Sequence, residues 1–75
     1  MVAPMQAREF AHRVNKLARK KGMSCEVRWD EGVGSHGTLY LGDRVTTIKA
    51  PNKELGKGLV DRMCKDLGID PDDIQ

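Results

Sequence analysis

An α+β sandwich, with two helices on one face of a three-stranded antiparallel sheet in the order α-β-β-β-α, is the fold that three features of this 75-residue chain predict. Apolar side chains recur at helical spacing near both ends, a period-two alternation begins at Cys25, and Gly42-Asp43 separates two short runs rich in β-branched residues. Each helix and the sheet has one face to bury, and a two-layer packing buries all three together. At this length the chain is one domain over residues 1–75, and such a domain buries only roughly 60% of the surface its unfolded form exposes. The core is therefore small, and a shallow site for a polymer fits better than a deep cavity for a small molecule.

The elements follow in order. Pro4 suits a first helical turn, and Phe10, Val14 and Leu17 with Ala7, Ala11 and Ala18 form one stripe through to about Lys20. Gly22 stops that helix as a left-handed residue. Its other side carries Arg8, His12, Arg13, Lys16 and Arg19, with Lys20 and Lys21 in the last turn, where the helix dipole favours cations. From Ser24 onward, Cys25, Val27 and Trp29 alternate with Glu26, Arg28 and Asp30, the pattern of a strand with one face buried. Residues 30–35 read as a loop. Thr38 to Leu41 and Arg44 to Ile48 then form a hairpin, because Gly first in a two-residue connection suits a type II′ turn. That turn pairs Leu41 with Arg44, Tyr40 with Val45, Leu39 with Thr46 and Gly37 with Ile48. Leu39 and Ile48 then share the core face, and Thr38, Tyr40, Val45 and Thr47 the other. Pro51 and Asn52 end the strand, and Leu59, Val60, Met63, Cys64 and Leu67 repeat at helical spacing from about Gly56. Gly68 is the stop, and residues 69–73 suggest an Asp-capped final turn with Pro71 at its first position.

Composition narrows the function classes. Cys25 and Cys64 are far apart and lack CxxC partners, which argues against a zinc site and a disulfide framework, so both are expected as reduced core thiols. No Asp/Glu/His cluster has metal-ligand spacing, and neither metal nor cofactor is expected. No stretch has the length of a signal sequence or membrane span, so a soluble, cytoplasmic protein without membrane contact is expected. Charge is uneven. Residues 1–28 carry seven Lys/Arg against two acids, and residues 61–75 carry two against five. That asymmetry suggests a polyanion surface with the acidic end turned away from it, although a plain solvated helix face also accounts for it.

Two motifs carry chemistry. Lys53-Glu54-Leu55-Gly56-Lys57-Gly58 leads into the second helix with two lysines and accessible backbone N–H groups, the arrangement with which double-stranded-RNA-binding domains face phosphate. It lacks the GxxxxG of a nucleotide-binding loop. The other motif is Gly34-Ser35-His36-Gly37 at a loop-to-strand junction. The two glycines leave room for a bulky ligand, Ser35 can donate to phosphate, and imidazole titrates near pH 6.5 in water, in the range useful for proton transfer. His12 reads as an ordinary surface residue.

The run GSHGTLYLGDRVTTIK, followed after Ala50-Pro51-Asn52 by KELGKGLVDRMCKDLGI, resembles the HicA family of toxins from bacterial toxin–antitoxin systems. The resemblance spans the first helix to about Ile69. Many members have two adjacent histidines after Gly-Ser, whereas His36 is followed here by Gly37. The resemblance implies a double-stranded-RNA-binding-like fold, mRNA interferase activity that inhibits translation, His36 as the catalytic residue, and a HicB-like antitoxin as partner. Gly34, Ser35, Lys49, Lys53 and Lys57 are then the expected RNA contacts. The scarcity of aromatics leaves little for a self-complementary patch, so the free chain is expected to be a monomer. Two other readings remain open at this level: a non-catalytic RNA-binding module using the same cations, and a structural interaction domain whose charges serve solvation.

Overall fold

The structure, a computed structural model, describes residues 4–30 and 36–74. Chain order is β1 (Met5–Gln6), α1 (Ala7–Lys21), β2 (Cys25–Arg28), β3 (Gly37–Leu41), β4 (Arg44–Ile48), β5 (Glu54–Leu55), α2 (Lys57–Leu67) and a closing 3₁₀ turn (Pro71–Ile74). The predicted α+β sandwich is present, with β2, β3 and β4 forming an antiparallel sheet in that order.

The hairpin has the register that the turn chemistry predicts: Leu41 opposite Arg44, Tyr40 opposite Val45, Leu39 opposite Thr46 and Gly37 opposite Ile48. Gly42 has φ 60°, and no described non-glycine residue has positive φ, the combination a type II′ turn requires. The alternation then sends Leu39, Leu41 and Ile48 into the core with Phe10 and Val14 of α1 and Val60, Met63 and Leu67 of α2. Phe10, the largest of these, is fully buried. Burying a side chain of this kind contributes about 1.5–3 kcal/mol, which makes the α1 stripe a main source of stability in so short a chain.

Both helices end in the same way. Gly22 (φ 69°) and Gly68 (φ 72°) take the left-handed conformation. Met23 N–H donates to Ala18 O (2.8 Å) and Gly22 N–H to Arg19 O (3.3 Å), while Ile69 N–H donates to Cys64 O (2.9 Å) and Gly68 N–H to Lys65 O (3.1 Å). These paired bonds are Schellman motifs that satisfy carbonyls otherwise left open at each helix end.

The beginning of the chain differs from the expectation. Pro4 is outside α1, which starts at Ala7, and Met5 and Gln6 pair with Leu55 and Glu54 as a separate two-stranded sheet. Backbone accounting explains this. Gln6, the N-cap, offers no side-chain cap, and the first N–H groups of α1 donate instead to the chain before α2: Ala7 to Lys53 O (2.8 Å) and Arg8 to Pro51 O (3.0 Å). Met5 and Leu55, opposite each other in this pair, are both buried.

The acidic end is not turned away from the basic helix. Ile74 is buried, its carbonyl accepts from Arg13 Nη1 (3.1 Å), and Asp73 stands 4.0 Å from Lys21 Nζ. The turn itself forms as expected, with Asp72 N–H donating to Asp70 Oδ1 (2.9 Å) ahead of Pro71–Ile74. An apolar anchor decides this placement, since exposed ion pairs contribute little and the Ile74 side chain must leave water.

Cys64 is buried and Cys25 half-buried, both as free thiols. Burial, with the charges of Asp61 and Asp70 adding to it, pushes the Cys64 thiol up to about 11, and burial alone raises Cys25. The thiolate is the reactive form, so Cys25 is expected to react with a thiol reagent at pH 8 well before Cys64, whose labelling should follow global unfolding. Because the folded value of Cys64 lies above the unfolded one, its protonated form adds stability below about pH 8.5 that is lost as pH rises toward 11. Peptide mapping after timed labelling checks this, and equal labelling rates at both thiols would contradict it.

Candidate functional site

His36 is exposed and stands immediately before β3. Gly37, the next residue, is buried, and a Cβ there would lie 2.6 Å from Arg28 O and 2.9 Å from Trp29 Cα. The expectation that Gly37 leaves room for a ligand is therefore replaced: its missing side chain lets the end of β2 close against the start of β3. That close approach fixes the backbone from which His36 projects. Gly34 and Ser35 lie outside the described residues.

His36 lines a groove of about 320 Å³ between the β4 side of the sheet and α2. Thr46 and Thr47 of β4 and Lys49 just beyond it form one wall, and Leu59, Arg62, Met63 and Asp66 of α2 form the other. The helical period brings residues 59, 62, 63 and 66 to one stripe, while the preceding Gly56 and Gly58 have no atom within 4 Å of where a side chain would begin. Thr46 is the one buried polar residue among those described, and its hydroxyl donates to Asp66 Oδ2 at 3.1 Å. Lys49 and Arg62 make no side-chain hydrogen bond or ion pair among the described residues. The groove thus combines an imidazole with two uncommitted cations.

The sequence reading nominated three lysines, and the structure brings one of them to His36. Lys49 lines the groove, whereas Lys53 and Lys57 are exposed at the start of α2 and outside its lining. The segment leading into α2 contains β5, with Leu55 buried and Lys53 O accepting from Ala7 N–H of α1. The first turn of α2 still carries Lys57, no acidic residue and no side-chain cap. Sequence reasoning missed Arg62 and Asp66. Their signal was available: they flank the core positions Leu59 and Met63 at three- and four-residue spacing, and Thr46 on a core-facing strand position demanded a polar partner from the helix above it.

A second cleft, of about 540 Å³, runs between α1 and the closing turn, lined in part by His12, Arg13, Lys16, Lys20 and Asp73. It shares no residue with the His36 groove, and its basic character is partly spent. Arg13 Nε donates to Glu9 Oε2 (2.9 Å), and that bond holds the Glu9 carboxyl below its ordinary range. Among the described residues, no three of His, Cys, Asp and Glu converge as metal ligands, and no helix is long and apolar enough to cross a membrane. No protein-family model, curated protein or solved structure matches the chain.

Proposed function

We propose that the protein is a HicA-like toxin, a metal-independent endoribonuclease that cleaves mRNA and so inhibits translation, acting in the cytoplasm. The observation that carries this reading is the groove that His36 lines together with Lys49 and Arg62, a general base candidate beside two cations without an ion pair among the described residues, on an open surface that admits a polymer. His36 takes the proton of a ribose 2′-OH, the 2′ oxygen bonds to the adjacent phosphorus, and the bond from phosphorus to the 5′ oxygen breaks. A 2′,3′-cyclic phosphate and a 5′-OH result, the leaving oxygen taking a proton from water or a lysine ammonium. Groove cations stabilise the charge that develops on the phosphoryl oxygens.

Lys53 and Lys57 extend the cationic surface away from the reacting bond, so their loss lowers affinity without sequence preference. The double alanine variant is expected to bind every single-stranded RNA more weakly and to reduce the salt slope by about 0.7 per lost phosphate contact. Fluorescence anisotropy across a salt series checks this, and an unchanged slope would remove both residues from the interface.

A toxin must be held silent in the cell that makes it, and an open groove cannot close itself. The expected inhibitor is a HicB-like antitoxin that covers the His36 end of the groove and the start of α2 with a surface bearing carboxylates, which compete with RNA phosphate. Hydrogen exchange on the complex is expected to show protection at residues 36–40 and 56–60. Protection confined to residues 70–74 would mean that inhibition works elsewhere. Whether purified protein shortens RNA in EDTA or only retards it separates this reading from that of a non-catalytic RNA-binding module.

A further inference from the structure

Arg62 and Asp66 occupy the same face of α2 one turn apart, the spacing at which opposite charges on a helix commonly pair. They do not pair: no ion pair within 4 Å joins them, although both line the groove. Asp66 is engaged elsewhere, accepting the hydroxyl of Thr46 at 3.1 Å across the gap between α2 and β4. Thr46 is buried to 6% exposure, so losing this bond would leave its hydroxyl with little access to water, a cost that favours keeping it. Asp66 also sits in the last turn of α2, where the helix dipole disfavours a carboxylate and propensity gives no reason for one.

We propose that Arg62 is the principal phosphate-binding side chain of the groove, and that Thr46 is a positioning residue that keeps it available by holding Asp66 away from it. The inference deepens the ribonuclease reading and rests on it for the identity of the ligand, an RNA backbone phosphate. A guanidinium offers a planar fork that grips two phosphate oxygens at once, which an ammonium such as Lys49 cannot do. That advantage disappears if the fork is already closed on a carboxylate one turn away. The hydrogen bond from Thr46 fixes the Asp66 carboxylate toward the sheet and leaves the Arg62 fork to the ligand.

The test uses the full chain and a single-stranded RNA whose 2′-hydroxyls are methylated, so that binding is read without cleavage. Arg62→Ala is expected to weaken binding about tenfold and to lower the salt slope by about 0.7. Thr46→Val, which keeps the branched shape and removes the hydroxyl, is expected to weaken binding several-fold, and Thr46→Ser to retain it. The informative variant is Thr46→Val/Asp66→Asn: with no carboxylate to capture Arg62, affinity is expected to return to at least the wild-type level. A role for Thr46 in folding alone predicts no such rescue, and failure of rescue in a folded double variant overturns the positioning role. Binding unchanged in Arg62→Ala overturns the phosphate role. Titration of inorganic phosphate, followed at the Arg62 Nε–H resonance, separates this inference from the RNA reading. A shift there in a protein that ignores RNA upholds the anion site while refuting the ribonuclease, and a protein that shows neither response refutes both.

Discussion

His36→Ala is expected to lower RNA cleavage by about 10²–10⁴-fold, the usual loss on removing a general base, and to abolish growth inhibition on expression. The fold should survive. His36 is exposed and precedes β3 rather than lying within its ladder, so truncation opens no cavity in the Leu39, Leu41 and Ile48 layer. RNA affinity should change far less than rate, because Lys49 and Arg62 remain in the groove to hold phosphate. That separation of rate from affinity distinguishes a base from a binding contact, whose loss would lower both together. A folded variant with undiminished cleavage, contaminating nuclease excluded, would take His36 out of the mechanism.

Gly37→Ala, one residue further on, is expected to damage the protein itself. The added carbon meets backbone atoms, Arg28 O at 2.6 Å and Trp29 Cα at 2.9 Å, and a backbone cannot rotate away as a flexible side chain can. Relief requires parting β2 from β3 at the end that carries His36. Overpacking of this kind costs about 1–3 kcal/mol, and in a domain this small each kcal/mol lowers Tm by roughly 4–8 °C. A fall of about 10 °C in thermal unfolding is the expected result. Gly58→Ala is the control: it lies in the first turn of α2 with open space around it and should be neutral or stabilising by up to about 1 kcal/mol. Equal melting temperatures for Gly37→Ala and wild type would show that the two strands do not close at this point as described.

How far the fold was legible depended on whether a period was long enough to register. The α1 stripe from Phe10 to Leu17, the α2 stripe from Leu59 to Leu67 and the Gly42 hairpin each repeat or carry turn chemistry of known geometry, and each is found where expected. The pairing of Met5–Gln6 with Glu54–Leu55 has no such signature. Two residues per strand cannot show an alternation, and what fixes them is the need of the first N–H groups of α1 for carbonyl partners. Charge pattern alone also misplaced the acidic end, because Ile74 outweighs the charges around it and docks the turn on α1. Of the residues that line the groove, the sequence singled out His36 as a histidine among small residues and Lys49 through the family resemblance. Arg62 and Asp66 were hidden among the charges of an amphipathic helix, where an exposed position ordinarily carries no information. Only the packing of α2 on β4 distinguishes them from Lys65 or Asp61, which do not line the groove.

The central claim, that the His36 groove breaks RNA by internal transfer to the 2′ oxygen, is tested most directly by the ends of the products. Purified protein incubated with a defined RNA in excess EDTA is expected to give fragments whose mass and labelling identify a 2′,3′-cyclic phosphate on one side and a 5′-OH on the other, with His36→Ala giving none. Fragments bearing 5′-phosphate and 3′-OH, or cleavage that stops when EDTA is added, would contradict the account.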